Sequence, residues 1–198
     1  MIYTEQYFAE AIEIINLINK KEVEAAVNII SNIRQRGGRL FFLGLGGSAA
    51  NATHAVNDFR KIAGIECYTP LDNASELTAQ INDNGWEQVF VEWLKISRLS
   101  ANDAVFVFSV GGGSIENGIS VNLVKALQFA KSKCVTVLGI VGRDGGYTAK
   151  IADSCIVIPT VNKDTLTPHT ESFQALIWHL IVTHPKLKSS EMKWESLK

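Results

Sequence analysis

Four ionisable side chains lie at helical spacing in two stretches of the sequence, and together they could bind a metal ion or transfer protons. His54 and Asp58 are four residues apart, which places them about 40° apart around a helix axis. Glu171 and His179 are eight residues apart, about 80° around the axis, in the apolar stretch TESFQALIWHLI. Two imidazoles and two carboxylates suit either tetrahedral zinc or an acid and base pair. Taken alone, the first pair also fits a solvent-exposed i, i+4 hydrogen bond.

The helix that carries His54 follows a loop suited to phosphate. The apolar run Leu40 to Leu43 predicts a buried strand, and the turn GLGGS that follows ends at Ser48. Glycine lets the backbone turn sharply and approach a ligand, and the N-terminus of the next helix favours an anion. The loop matches neither the Walker sequence nor GxGxxG, and an ordinary tight turn is the alternative.

A second loop of the same kind, SVGGGS, spans 109–114 after another apolar run. In a doubly wound sheet of strand order 2-1-3-4-5, strands one and three are neighbours, and ligands bind beyond their carboxyl ends. The two loops would then face each other across one crevice. We therefore expect Ser48, Ser109 and Ser114, with backbone N–H groups of both loops, to bind the phosphate of a phosphate ester.

The elements around these loops predict an α/β fold. Apolar runs alternate with helix-forming stretches from Arg39 onward, which implies βαβ units and a parallel sheet covered on both faces. The predicted strands span 39–43, 65–68, 104–108, 134–140 and 154–158. The predicted helices that alternate with them span 48–61, 74–82, 86–97, 118–132, 146–151 and 168–184. We expect a three-layer sandwich around a five-stranded parallel sheet of flavodoxin-like order, in a single domain over 1–198.

Two further amphipathic helices, 4–19 and 22–36, precede the first strand. They are extra to the sheet, so we expect the segment 1–37 to form a subunit contact or a lid. The alternative is that both helices simply cover the sheet.

Composition excludes several classes of protein. A chain of 198 residues with 46% hydrophobic and 20% charged residues suits one α/β domain with a sizeable core. Because 19 basic and 20 acidic residues form no long run of one sign, we expect neither nucleic-acid nor membrane binding. The apolar runs are too short to span a bilayer, and the N-terminus lacks the basic and apolar regions of a secretory signal. A cytoplasmic protein is therefore expected.

The remaining candidate ligands are assigned structural roles. His169 and His184 lie near the ends of the last predicted helix and are interpreted as exposed capping residues. Cys67, Cys134 and Cys155 lie in or beside apolar runs without CxxC spacing, so they are interpreted as reduced core residues.

Together these residues resemble the phosphoheptose isomerases of the sugar isomerase (SIS) fold. The likeness covers nearly the whole chain: the paired N-terminal helices, GLGGSAANATH, NDNGWEQVF, FSVGGGS, VGRDGG and ESFQALIWH. The resemblance implies an aldose–ketose isomerase that converts sedoheptulose 7-phosphate to D-glycero-D-manno-heptose 7-phosphate through an enediol. That reaction is the first step of nucleotide-activated heptose biosynthesis for lipopolysaccharide or capsule. The resemblance also implies a homotetramer with its sites at subunit contacts.

The same resemblance implies roles for particular residues. Asp58 would be the base that moves the proton between C1 and C2, and His179 the acid for the oxygens. Some members bind zinc through residues matching His54, Asp58, Glu171 and His179, which implies Zn²⁺ as a cofactor. A metal-free site with the same base and acid is the alternative. The expected substrate-binding residues lie in the two loops, the NDNG motif and the last helix, and are Gly46, Gly47, Ser48, Asp83, Ser109, Gly112, Ser114 and Glu171.

The sequence departs from the family pattern at several of these positions. Leu45 stands where the family usually has Asn, Asp58 where it has Glu, and Glu171 where it has Gln. The second loop is usually STSGNS, so Gly111 and Gly113 replace two polar side chains, and the stretch IENGISVN is longer than usual. These departures leave two further hypotheses open, namely a different sugar, or a chain that has lost catalysis and kept binding.

The rival hypothesis is a non-catalytic SIS module that senses a phosphosugar or binds a protein. Such a module needs the two loops but not the four ionisable side chains of the two helices. Their presence favours the enzyme.

Overall fold

The computed structural model describes residues 2–191, and over this range the chain forms eight α-helices and five β-strands. The helices are α1 (Tyr3–Leu17), α2 (Lys20–Gln35), α3 (Gly47–Lys61), α4 (Ala74–Asn84), α5 (Val89–Ile96), α6 (Val121–Ser132), α7 (Gly146–Ile151) and α8 (Leu166–Thr183). The strands are β1 (Leu40–Leu43), β2 (Cys67–Tyr68), β3 (Ala104–Ser109), β4 (Thr136–Val141) and β5 (Ser154–Val157). A 3₁₀ turn, Lys163–Thr165, leads directly into α8.

The sheet has the predicted strand order. All five strands are parallel and follow the order β2-β1-β3-β4-β5, which confirms the predicted fold class. Leu43 at the end of β1 pairs with Val107, and β3 continues to Ser109. The two glycine-serine loops therefore leave the same edge of the sheet from adjacent strands.

Alternate strand residues fill two cores, one on each face of the sheet. On the first face, Phe42 and Phe106 stack with their ring centroids 5.3 Å apart, in a core that includes Trp178. Helices α2, α3 and α8 supply many of the other residues of that core, with Ile14 from α1, and α5 and α6 cover the opposite face. The two helices that carry the predicted site, α3 and α8, thus lie on the same face of the sheet.

Two predicted helices begin three residues later than expected, α5 at Val89 and α6 at Val121. The later start of α6 is explained by backbone hydrogen bonds in the segment before it. Ser114 and Ile119 exchange backbone N–H···O bonds of 2.9 and 3.0 Å, so the intervening residues form a small hairpin instead of the first helical turn. The other predicted boundaries agree with the structure to within two residues.

The N-terminal helices differ in how they are buried. Helix α2 buries Val27 and Ile30 completely against the sheet. Helix α1 leaves most of its large apolar side chains exposed, and these are Tyr3, Phe8, Ile12, Ile15 and Leu17. Such an apolar face is typical of a protein contact surface. Helix α2 covers the sheet, as the alternative had it, and the expected subunit contact of segment 1–37 stays a prediction.

The cysteines only partly follow the prediction. Cys67 is buried, and burial raises the pKa of its thiol. Cys155 is half-buried, and burial raises its pKa to about 12. Cys134 is exposed, at a turn with φ of 56°, so its assignment to the core is wrong. Across residues 2–191, the helices lack the length and apolar character needed to cross a bilayer.

Candidate functional site

The first glycine-serine loop is shaped by the start of α3. Gly46 has φ of 60°, a conformation that favours glycine, and it immediately precedes the helix. The Ser48 hydroxyl lies in the first turn, is almost completely buried, and has no hydrogen-bond partner among the described residues. A buried hydroxyl without a partner is costly. It is therefore available to a ligand at the N-terminus of α3.

The second loop is closed on itself and fixed to its neighbour. The Ser109 hydroxyl accepts a 3.0 Å hydrogen bond from the Gly112 N–H. Gly112 has φ of 68°, and a Cβ there would overlap the Gly145 carbonyl of the segment after β4. Thr148 donates both its N–H and its hydroxyl to the Gly112 carbonyl, at 2.9 and 2.8 Å. This loop is thus held rigidly at the edge of the sheet.

Ser114, the third serine expected at the phosphate, lies in the small hairpin that precedes α6. Its hydroxyl accepts hydrogen bonds from the N–H and Nδ2 of Asn117 within the hairpin, at 3.2 and 3.1 Å. It also lines a cavity of about 250 Å³ with Arg143 and Lys150, and in the described part of the chain no residue of the first loop lines that cavity. The shared phosphate site expected for Ser48 and Ser114 therefore stays a prediction.

Two polar residues at the start of α6 were not among the site residues predicted from the sequence. Ser120 precedes the helix with left-handed φ and ψ of 50° and 48°, and its side chain makes no cap hydrogen bond. Asn122 is completely buried, and its Nδ2 has no partner among residues 2–191. The available signal was the length of IENGISVN, which leaves room for the hairpin between Ser114 and Ile119 before the helix begins.

His54, Asp58 and His179 come together between α3 and α8. The Asp58 Oδ2 lies 3.8 Å from His54 Nε2 and 3.7 Å from His179 Nε2. The three ligand atoms are all within 4.8 Å of one another. Asp58 is mostly buried, whereas the side chains of His54 and His179 are 57% and 47% exposed. The group therefore faces solvent with its carboxylate at the back.

Neighbouring groups orient these three side chains. The Ala175 carbonyl lies 2.7 Å from His179 Nδ1, so that nitrogen carries the proton and Nε2 is free as a base or ligand. Asn57 Nδ2 donates a 2.8 Å hydrogen bond to Asp58 Oδ1, which leaves Oδ2 for the imidazoles. The Trp178 ring contacts both imidazoles, with centroids 4.7 Å from His54 and 3.5 Å from His179.

Glu171 lies outside this group, so the expected four-residue coordination shell is wrong. The group found among the described residues has three members, His54, Asp58 and His179. The angle between Glu171 and His179 around the helix is small, but eight residues of helix also separate them by about 12 Å along the axis. With its carboxylate beside Gly47, Glu171 is not among the ligand atoms that lie within 4.8 Å of one another.

The Glu171 carboxylate instead lies beside the first loop. A Cβ on Gly47 would overlap it, so the carboxylate would have to move aside if another residue replaced this glycine. Asn51 of α3 donates hydrogen bonds to the Glu171 carbonyl and to Gln174 Oε1, at 2.9 and 3.1 Å. Residues near the start of α8 therefore meet the start of α3, and His179 meets Asp58 further along, so the two helices run side by side in the same direction.

Asp83, predicted from the NDNG motif, is not part of either group. It lies in α4, a helix without buried residues, and its carboxylate accepts a 2.9 Å hydrogen bond from Asn82. Its predicted role in substrate binding stays a prediction.

The three clustered side chains fit a zinc ion. Bonds of about 2.0–2.1 Å place tetrahedral ligand atoms about 3.3–3.4 Å apart. The observed separations of 3.7 and 3.8 Å need only a small closure by side chains that are partly exposed. Two histidines and a carboxylate form a ligand set typical of catalytic zinc, whereas four protein ligands are typical of structural zinc.

Comparisons with known proteins agree with this architecture. The family model described as SIS domain matches residues 6–142. Phosphoheptose isomerase 2 of Campylobacter jejuni is 30% identical over 190 residues, which cover 90% of this chain and 89% of that protein. A lincomycin biosynthesis protein of Streptomyces lincolnensis is 32% identical over 167 residues, and the chain covers 60% of its length. The structure of phosphoheptose isomerase from Neisseria gonorrhoeae is similar to this one with a TM-score of 0.77, over 90% of this chain and 95% of that chain. The two sequences are 23% identical, so this similarity shows the fold alone.

Proposed function

This chain belongs to the SIS domain family and, within it, to the phosphoheptose isomerases, and we propose that it isomerises sedoheptulose 7-phosphate to D-glycero-D-manno-heptose 7-phosphate. The reaction moves a hydrogen between C1 and C2 of the sugar through an enediol. It needs a base at carbon, an acid and base for the two oxygens, and a site for the distant phosphate.

One observation carries the proposal: His54, Asp58 and His179 converge at the right distance from the phosphate loop. His54 and Asp58 follow Ser48 by six and ten residues, which places them roughly 9 and 15 Å from it along the axis of α3. An extended seven-carbon chain has about that reach. A substrate held by its phosphate at the loop would therefore bring its carbonyl end to the cluster.

Asp58 is the proposed base. Its Oδ1 is held by Asn57, and its Oδ2 is directed at the imidazoles, so one oxygen is oriented and the other is available. His179 is the proposed acid for the sugar oxygens, because its Nδ1 hydrogen bond to Ala175 leaves Nε2 to exchange a proton. The shorter side chain of Asp58 serves as well as Glu if the substrate carbon comes within hydrogen-bond reach.

The proposed cofactor is Zn²⁺, held by His54, Asp58 and His179. Because a ligand atom bound to zinc cannot also transfer a proton, Asp58 and His179 would act as base and acid only when released from the ion. When bound, zinc would polarise the carbonyl as a Lewis acid and offset the negative charge of the enediolate.

The phosphate is proposed to bind at the N-termini of α3 and α6. Ser48 offers a buried hydroxyl without a partner, and Ser120 offers a free hydroxyl at the start of α6. Ser109 can still donate its hydroxyl proton, because its oxygen accepts the Gly112 N–H. These donors, with the helix dipoles, suit a phosphate ester.

We also propose a homotetramer that supplies heptose for a surface polysaccharide. The exposed apolar face of α1 supports assembly, and Leu176 and Leu180 of α8, near His179, are exposed as well. Subunit contact at these leucines would shield the open side of the cluster. The proposed pathway is the first step towards nucleotide-activated heptose.

The test is a turnover assay on sedoheptulose 7-phosphate beside a panel of other ketose phosphates, with Asp58→Asn as the inactive control. Turnover of the seven-carbon substrate with the highest kcat/KM supports the proposal. Preference for another ketose phosphate would show that the chain is an isomerase with a different substrate. Binding without turnover of any of them would favour the non-catalytic module.

A further inference from the structure

Glu10 of α1 lies at the centre of a polar network at the start of α8. Its Oε2 accepts a 2.7 Å hydrogen bond from the Thr165 hydroxyl and lies 3.0 Å from His169 Nε2. Its Oε1 accepts hydrogen bonds from Asn162 Nδ2 and Gln6 Nε2, at 2.7 and 2.8 Å. Three of the four partners come from the segment that leads into α8 and from its first turn.

The network is buried and specific for a carboxylate. Glu10 and His169 are both buried, which corrects the expectation that His169 is an exposed cap. Since a carboxylate only accepts, His169 Nε2 must carry the proton that it shares with Glu10. Hydrogen bonds, the largest from Asn162, lower the pKa of Glu10 to about 2. The Tyr7 ring also stacks on the imidazole, with centroids 4.2 Å apart.

The first turns of α8 link this network to the substrate site. His169 faces α1, whereas Glu171, two residues later, faces Gly47 in the first loop. On the far side, Asn51 holds the Glu171 carbonyl from α3. The start of α8 is therefore held from both sides, by Glu10 and by Asn51, and this placement of the helix brings the Glu171 carboxylate beside the loop.

We propose that Glu10 and His169 are positioning residues, which hold the first turn of α8 so that the Glu171 carboxylate stays beside Gly47 and the substrate. The proposal rests on the proposed function, because it concerns the substrate end of that site. It assigns α1 a role in the geometry of the site in addition to any role in assembly.

The variant His169→Phe tests the proposal. It keeps an aromatic ring against Tyr7 and removes the donor to Glu10, and His169→Gln restores a donor. We expect His169→Phe to raise KM for sedoheptulose 7-phosphate about tenfold with kcat within about threefold, and His169→Gln to recover most of the loss. Thr165→Val, which removes one hydroxyl, should act in the same direction.

A matched control separates positioning from loss of stability. Asp103 accepts hydrogen bonds from Arg39 and Ser100 at the opposite, amino-terminal edge of the sheet. Asp103→Asn should lower the unfolding temperature as His169→Phe does and leave KM unchanged. In a Glu171→Ala background, His169→Phe should have little further effect on KM, because the two act through one carboxylate.

Additive effects in that double variant, or an unchanged KM in folded His169→Phe, would overturn the proposal. If the wild type fails to turn over the sugar, the proposed function fails, and crystal structures of the wild type and His169→Phe decide this proposal alone. A Glu171 carboxylate displaced from Gly47 by more than about 1 Å supports it, since a shift of that size is enough to impair a site. An unmoved carboxylate refutes it.

Discussion

Replacement of His54 by alanine should weaken zinc binding without unfolding the protein. The side chain is 57% exposed, and its recorded polar contact is the 3.8 Å approach to Asp58, so little packing is lost. The remaining pair, Asp58 and His179, would then have to hold the ion alone. Two protein ligands form an incomplete set for a zinc site, which normally has at least three.

The size of the effect follows from the number of ligands lost. Removal of a group that merely orients a ligand usually costs about 10–100-fold in metal affinity. Loss of one of three ligands should therefore cost at least about 100-fold, equivalent to about 2.8 kcal/mol at about 1.4 kcal/mol per tenfold change. The unfolding temperature of the metal-free protein should stay nearly unchanged, because a mostly exposed side chain has been removed.

The assay is competitive titration of zinc against a chromophoric chelator, with metal content measured after purification without chelator. His184→Ala is the matched control, because His184 lies at the end of the same helix as His179 and approaches Glu24 at 3.6 Å, outside the cluster. It should bind zinc as the wild type does. If the wild type binds no zinc, or if both variants lose equal affinity, the three-residue metal site is wrong and the metal-free site is favoured.

Four further predictions follow from individual residues. Ser48→Ala should leave stability within about 0.5 kcal/mol and weaken phosphate binding about tenfold or more by calorimetry, because the hydroxyl has no protein partner to lose; unchanged binding would contradict it. Ile12→Glu should reduce the oligomer to smaller species in light scattering, because Ile12 is 61% exposed on α1; a wild-type monomer at micromolar concentration would refute an assembly. Gly112→Ala should lower the unfolding temperature far more than Gly85→Ala, because both have positive φ but only the first would overlap backbone; equal losses would contradict the close approach. The pKa of Glu10 is lowered from 4.5 to about 2. Its contribution to stability should therefore be present above pH 4.5 and disappear as the pH falls towards 2. Glu10→Gln should flatten that part of the acid unfolding curve, and an unchanged curve would count against the network.

The sheet could be predicted because its signals are local. Short apolar runs such as Leu40–Leu43, ended by glycine, specify strands and turns without reference to the rest of the chain. The order of the strands comes from the doubly wound class that alternating strands and helices indicate, and the meeting of the two loops follows from that order. The start of α6 could not be predicted in this way, because the backbone bonds between Ser114 and Ile119 depend on a pairing that no periodicity reveals.

The burial of polar side chains was the other feature that could not be predicted from the sequence. His169 lies near the start of an amphipathic helix, where an exposed histidine is the common case. It is buried because Glu10, far away in the sequence, supplies an acceptor, and Tyr7 covers the ring. A contact between residues 159 positions apart leaves no trace in the local pattern of either helix.

The position of Glu171 bears on where the phosphate lies relative to the cluster at Asp58. Its carboxylate lies beside the N-terminus of α3, where a helix dipole stabilises negative charge and where a phosphate would otherwise be favoured. A phosphate placed at the same point would meet this carboxylate. The phosphate proposed at Ser48 must therefore lie on the side of this terminus that faces β3, where Ser109 and Ser120 add donors and the Glu171 charge is more distant. In that arrangement Glu171 faces the sugar hydroxyls between the phosphate and the cluster at Asp58. A glutamate carboxylate can only accept hydrogen bonds, so we expect Glu171 to orient the sugar by accepting from its hydroxyls.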